Sequence, residues 1–138
     1  MVMWYNEPRM TRIFFYPRLF VFSVEKTKPF IMEVAYANSR IEKICTDVKR
    51  GRKELGQVGM KILTNRLIQI AEADNLEELR NRPGSWHELS GTRWGQLAAS
   101  LDGLNRLVFE PNNDPKPTKS DGGWDWSAVT EIIIIEIT

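Results

Sequence analysis

Three side chains in one short segment could together hold a phosphate and move its protons. They are His87, the only histidine of the chain, Arg93 in the glycine-punctuated turn "GTRWG", and Arg106 at the start of "RLVFEP". A histidine suits proton transfer because its ordinary pKa of about 6.5 lies near neutrality. Arginine suits phosphate because its planar fork meets two oxygens at once and never loses its charge. Metal-free RNA cleavage needs this kind of set. It takes a base for the attacking 2′-hydroxyl, an acid for the leaving 5′-oxygen, and fixed cations around the developing phosphorane. Trp94 and Trp86 could stack on bases, for about 1–3 kcal/mol each, although Trp86 fits a core position better. The same residues also admit a plainer reading, as ordinary surface groups of a small sheet.

Composition narrows the choice. One Cys45 excludes an intramolecular disulfide framework and fits a reducing cytoplasm. It falls among the apolar positions of a predicted helix, where an inert core thiol is expected. A single His and a single Cys cannot build a zinc site unaided, and "GQVGMK" lacks the length and final Ser/Thr of a phosphate loop. No metal and no small-molecule cofactor is therefore expected. At 138 residues, 42% hydrophobic and 27% charged, the chain reads as one globular domain. The charge is divided: residues 1–31 carry +3 and the remainder −2. A nucleic-acid enzyme built on residues 32–138 would need its cations clustered locally.

Residues 1–31 read as an N-terminal extension outside the native fold, with a second natural beginning at Met32. Pro17 and Arg18 interrupt the apolar run "MTRIFFYPRLFVFSV", which is shorter than the about 20 residues of a membrane span. No small-x-small cleavage site follows in "EKTKPF". A structural or membrane-touching arm is the other reading of this segment. No membrane partner is expected for the domain itself.

The domain's elements follow from local pattern. "MEVAYA" is a strand candidate. Ser39 and Glu42 form an S-x-x-E capping box ahead of Ile41, Ile44, Cys45 and Val48 at helical spacing. Lys49, Arg50 and Gly51 then suit a helix end. A second helix is predicted over about residues 53–72, with Leu55, Val58, Ile62, Leu63, Leu67 and Ile70 as its apolar stripe. Asp74 and Glu77 repeat the capping pattern, and "RPG" stops helical structure. Strands are predicted at about 86–89, 95–101 and 105–110, the last two joined through Asp102-Gly103. Leu97, Ala99, Leu101, Leu107 and Phe109 share the face that helices should cover. Gln96, Ala98, Ser100, Arg106, Val108 and Glu110 share the open one. Residues 111–130 form a long polar loop, of the kind that is usually functional or mobile. "EIIIIEIT" closes the chain as a strand whose isoleucine run suggests burial on both faces.

The order strand, two helices, antiparallel strands, with "RPGSWHELSGTRWGQLAASLDGLNRLVFEP", resembles the RelE/ParE superfamily of bacterial toxins. It looks most like the HigB-type plasmid maintenance killers. The resemblance covers residues 32–138 and none of residues 1–31. It implies an α+β fold, a small antiparallel β-sheet with an N-terminal two-helix hairpin packed on one face. It also implies a cytoplasmic toxin of a type II toxin–antitoxin module. Such a toxin cleaves mRNA on the translating ribosome and is silenced by a helix-turn-helix antitoxin. On this resemblance His87 transfers protons or orients the phosphate, and Arg106 stabilises the transition-state phosphate. Arg93 contacts the mRNA backbone, with Trp94 and Gln96 beside it as RNA-binding residues. Trp124 and Trp126, in "GGWDW", read either as loop anchors or as part of a partner surface.

The chain departs from the family at three points. Thr92 and Trp94 replace part of a "GDRKG"-like basic turn, Ser90 stands where some members have lysine, and the chain stops at Thr138, where an Asp-Tyr-His tail would begin. Each lost proton-transfer group typically costs about 10²–10⁴-fold, so an attenuated toxin is expected. The alternative from a different class is a non-catalytic binder. It would be a ParE-like gyrase poison or a decayed toxin that only engages its antitoxin. A cation cluster around Arg106 would favour RNA, and a plain polar face would favour the binder.

Overall fold

The computed structural model describes residues 31–138; the expectation for the N-terminal extension falls, Ile31 apart, outside them. The fold is α+β. It has strands β1 (Glu33–Tyr36), β2 (His87–Glu88), β3 (Leu97–Ser100), β4 (Arg106–Pro111) and β5 (Glu131–Ile137). Helices α1 (Ser39–Thr46) and α2 (Val48–Glu72) lie between β1 and β2.

Both helix starts sit earlier than the sequence pattern suggests. Asn38, rather than Ser39, caps α1, its Oδ1 accepting the Ile41 N–H at 2.9 Å. Asp47 then closes α1 and opens α2 at once, because its carboxylate accepts from both Lys49 and Arg50 N–H. Two orphan donors satisfied by one charged cap outweigh the C-terminal signal of Lys49-Arg50-Gly51. Gly51 therefore lies inside α2. It is glycine for want of space, since a Cβ there would meet the Met60 sulfur and come within 2.8 Å of the Ile44 carbonyl oxygen. Gly56, at φ 79° and ψ 172°, breaks α2. Beyond the break the helical phase resets, so Met60, Leu63 and Ile70 are buried while Val58 is exposed. A short 3₁₀ turn, Leu76–Leu79, is capped by Asn75 rather than Asp74 and buries both leucines.

The strand order is β1-β5-β4-β3-β2. β1 runs parallel to β5 and every other pair is antiparallel. The sheet is thus mixed, which corrects the antiparallel expectation. Hairpin signals specify only consecutive strands, whereas β1 and β5 meet from opposite ends of the domain and pair through packing. Leu97, Ala99, Leu101, Leu107, Phe109, Ile132, Ile134 and Ile137 form one core with Ile41, Ile44, Leu63 and Ile70 of the helices.

β5 alternates instead of burying both faces. Ile132 and Ile134 are fully buried and Ile133 and Ile135 half-buried. Register explains the rest: Phe109 faces Ile134 but Val108 faces Glu136, leaving Ile135 as the extra residue of a β-bulge. The bulge flips the alternation, so Glu136 turns to the open face and Ile137 into the core. The 111–130 segment is built onto the domain. Asn113 holds its end, its Oδ1 accepting from Thr130 and Glu131 N–H while its Nδ2 donates to Thr130 Oγ1. Thr118 and Trp124 bridge within it, and Trp126 is buried. No helix among the described residues is long and apolar enough to cross a membrane.

Candidate functional site

The open face of the sheet brings the sequence-selected residues onto one surface. His87, Ala98, Val108 and Glu136 are cross-strand partners and form a row over β2, β3, β4 and β5. Arg106 pairs with Ser100, two residues from that row on the same face. With strands about 4.8 Å apart and about 3.4 Å per residue, the Cα atoms of His87 and Arg106 are about 12 Å apart. They share a face without touching.

His87 lies exposed on the edge strand, just after a turn in which Ser85 adopts φ 52° and the Gly84 carbonyl accepts from Ser100 N–H. Its Nδ1 is 2.6 Å from the Ser85 carbonyl oxygen. A carbonyl only accepts, so Nδ1 carries the proton and Nε2 is the nitrogen that exchanges protons with its surroundings. The short loop thereby fixes the tautomer a general base requires.

Arg106 is half-buried, and its main chain pairs with Thr138 in both directions. Its guanidinium has no hydrogen-bond or ion-pair partner among the described residues. Arg93 differs. Its Nε donates to Gln96 Oε1 at 2.8 Å and its Nη2 to Glu136 Oε1 at 2.5 Å. Gln96, expected beside the RNA, accepts from Arg93 and so orients its guanidinium plane. To reach Glu136 from the β2–β3 turn, the Arg93 side chain must cross the face above Ala98 and Val108, both fully buried.

The tryptophans divide in the same way. Trp94 is 65% exposed and stacks on Trp124 at 6.5 Å between ring centroids and 22° between planes. Trp124 is anchored by its indole N–H to the Gly95 carbonyl. Trp86 is only 4% exposed, lies edge-on to Phe109, and donates to the Pro83 carbonyl. Trp126 donates to Glu88 Oε2 at 2.8 Å, beneath the Arg80 guanidinium 4.0 Å from its ring centre.

Glu136, the partner of Arg93, escaped the sequence reading. Glu136 was hidden because strict alternation aims it at the core with Ile132 and Ile134. A lone carboxylate in that position is itself the signal that a bulge intervenes. Trp124 was named from the sequence, but its partners, the Trp94 ring and the Gly95 carbonyl, needed the fold of the 111–130 segment. By strand register Glu33, Glu110, Glu131 and Glu136 share this face with Arg93 and Arg106, so it is polar and carries no cluster of cations. Cys45 is remote from it. Burial, and then the neighbouring Glu42 charge, push its thiol pKa up to about 12. No group of three or more His, Cys, Asp or Glu side chains that could hold a metal occurs among the described residues. The chain matches no protein-family model, no curated protein and no solved structure.

Proposed function

We propose that residues 32–138 form a RelE/ParE-superfamily toxin domain of HigB type, cleaving ribosome-bound mRNA and silenced by a helix-turn-helix antitoxin. The observation that carries this reading is the pair on the open face: His87 with Nε2 as its exchanging nitrogen, and Arg106 with no acidic partner among the described residues. His87 Nε2 takes the proton of the 2′-hydroxyl as the 2′-oxygen bonds to phosphorus. Arg106 stabilises the negative charge on the phosphorane. The bond from phosphorus to the 5′-oxygen breaks, and that oxygen takes its proton from water, while the protonated His87 returns its proton to solvent.

One observation favours a second reading, a non-catalytic ParE-like gyrase poison or a toxin that only engages its antitoxin. Arg93 is tied to Glu136, and by strand register the open face carries four carboxylates, Glu33, Glu110, Glu131 and Glu136, against the guanidinium groups of Arg93 and Arg106. Induced expression of the chain, with primer extension on cellular mRNA, separates the two. The nuclease reading expects growth arrest with discrete cuts. His87→Ala should lower cutting about 10²-fold or more, and Arg106→Ala about 10²–10³-fold. Arrest without cuts moves the reading to gyrase or another target, and no arrest leaves a binder of the antitoxin.

A further inference from the structure

We infer that Arg93 and Gln96 form a seat for one phosphate of a bound RNA, and that Glu136 is a built-in carboxylate occupying this seat until the phosphate displaces it. The inference rests on the RNA reading above. It starts from the guanidinium, which has five N–H donors in a fixed plane. One, Nε, is bonded to Gln96 Oε1, and this fixes how the remaining fork is presented. Another, Nη2, holds Glu136 Oε1. A carboxylate and a phosphodiester present the same chemistry to such a fork, two anionic oxygens in one plane. The position Glu136 fills is therefore one a phosphate fits.

Glu136 is there by a specific backbone device. Without the extra residue at Ile135, the alternation that buries Ile132 and Ile134 would drive Glu136 into the core. The bulge re-aims it onto the open face, in the row that begins with His87. Three strand spacings separate the ends of that row, about 14 Å. Arg106 lies on β4 between them, so a strand of RNA crossing the sheet meets His87, Arg106 and Arg93 in turn. Both partners of the ion pair are partly open to solvent, at 35% and 39% side-chain exposure. Solvent screening keeps such a pair weak enough for a competing anion to displace. A phosphate entering the seat gains a charge-assisted contact but must release Glu136, so the carboxylate discriminates against weakly held anions.

The experiment uses the full chain and two probes, inorganic phosphate and a short single-stranded RNA. Phosphate binding is followed by the ¹⁵N resonance of Arg93 Nε. Glu136→Gln keeps an acceptor for Arg93 but removes the charge. It should tighten phosphate binding about fivefold, the scale of a half-exposed ion pair. It should also tighten RNA binding and steepen its dependence on log salt by about 0.7, one phosphate contact on a single strand. Arg93→Ala in the Glu136→Gln background should erase both gains. A thermal midpoint verifies that each variant is folded. In the same background, Gln96→Ala tests the seat without touching a charge and should weaken phosphate binding. If phosphate responds as stated but RNA does not bind at all, the seat stands and the RNA reading falls. If RNA binds equally to the unaltered chain and to Glu136→Gln, the RNA reading stands and the seat is overturned. If Glu136→Gln weakens binding, or the Arg93 resonance is indifferent to phosphate in both proteins, Glu136 is a strut and the inference is wrong.

Discussion

Environment separates residues that look alike in the sequence. His87 and Cys45 are each the only one of their kind, yet one is exposed on an edge strand and the other is walled in by the helix layer. Cys45 has its pKa raised to about 12, by burial first and by Glu42 second. Between pH 9 and 12 the unfolded thiol loses its proton while the folded one keeps it, so stability falls as pH rises through that window. At pH 8 the same burial predicts that iodoacetamide leaves the native protein unlabelled and modifies Cys45 only on addition of denaturant, as read by mass spectrometry. Labelling at the rate of a free thiol would show that α1 opens locally. The two guanidinium groups differ in the same way. Arg93 is committed to Gln96 and Glu136, and Arg106 to no group among the described residues.

At the scale of elements, small shifts of a cap decide which residues face where. Asn38 satisfies the Ile41 N–H, whereas Ser39 is already the first residue of α1. Replacing Asn38 by Ala should cost about 1 kcal/mol, while Ser39→Ala should change stability by less than about 0.5 kcal/mol. Urea unfolding of the two variants distinguishes the caps, and equal losses would return the cap to Ser39. The break at Gly56 has a comparable effect on α2, because it turns Val58 outward and Met60 inward. Its φ and ψ belong to a region that only glycine occupies without strain. The bulge in β5 is the third such device, and the one that reaches the candidate site.

For the whole molecule, β5 is the strand that ties the two ends of the domain together. It is hydrogen-bonded to β1 on one side and β4 on the other. The segment leading into it is fastened by Asn113, which serves Thr130 and Glu131 together. Asn113→Ala leaves two backbone donors without their acceptor and should lower stability by about 1–3 kcal/mol. It should also speed tryptic cleavage after Lys119, inside the segment it closes. An unchanged digestion rate would mean that the Trp126 contacts with Glu88 and Arg80 hold the segment by themselves.

Much of this architecture was legible locally. The helices, the Asp102-Gly103 hairpin and the two faces of β3 and β4 follow from periodicities of 3.6 and 2 and from turn chemistry. Each of these acts between residues close in sequence. The candidates His87, Arg93 and Arg106 were legible by residue type. What they touch was not, because Glu136 lies 43 residues from Arg93 and faces it only through a bulge that strict alternation omits. The parallel pairing of β1 with β5, the stack of Trp94 on Trp124 and the burial of Trp126 likewise join distant segments. Short-range pattern decided which way β3 and β4 point their side chains, but not β5 beyond its bulge. Only packing the strands into one sheet decided that Arg93 meets a carboxylate and that Arg106 does not.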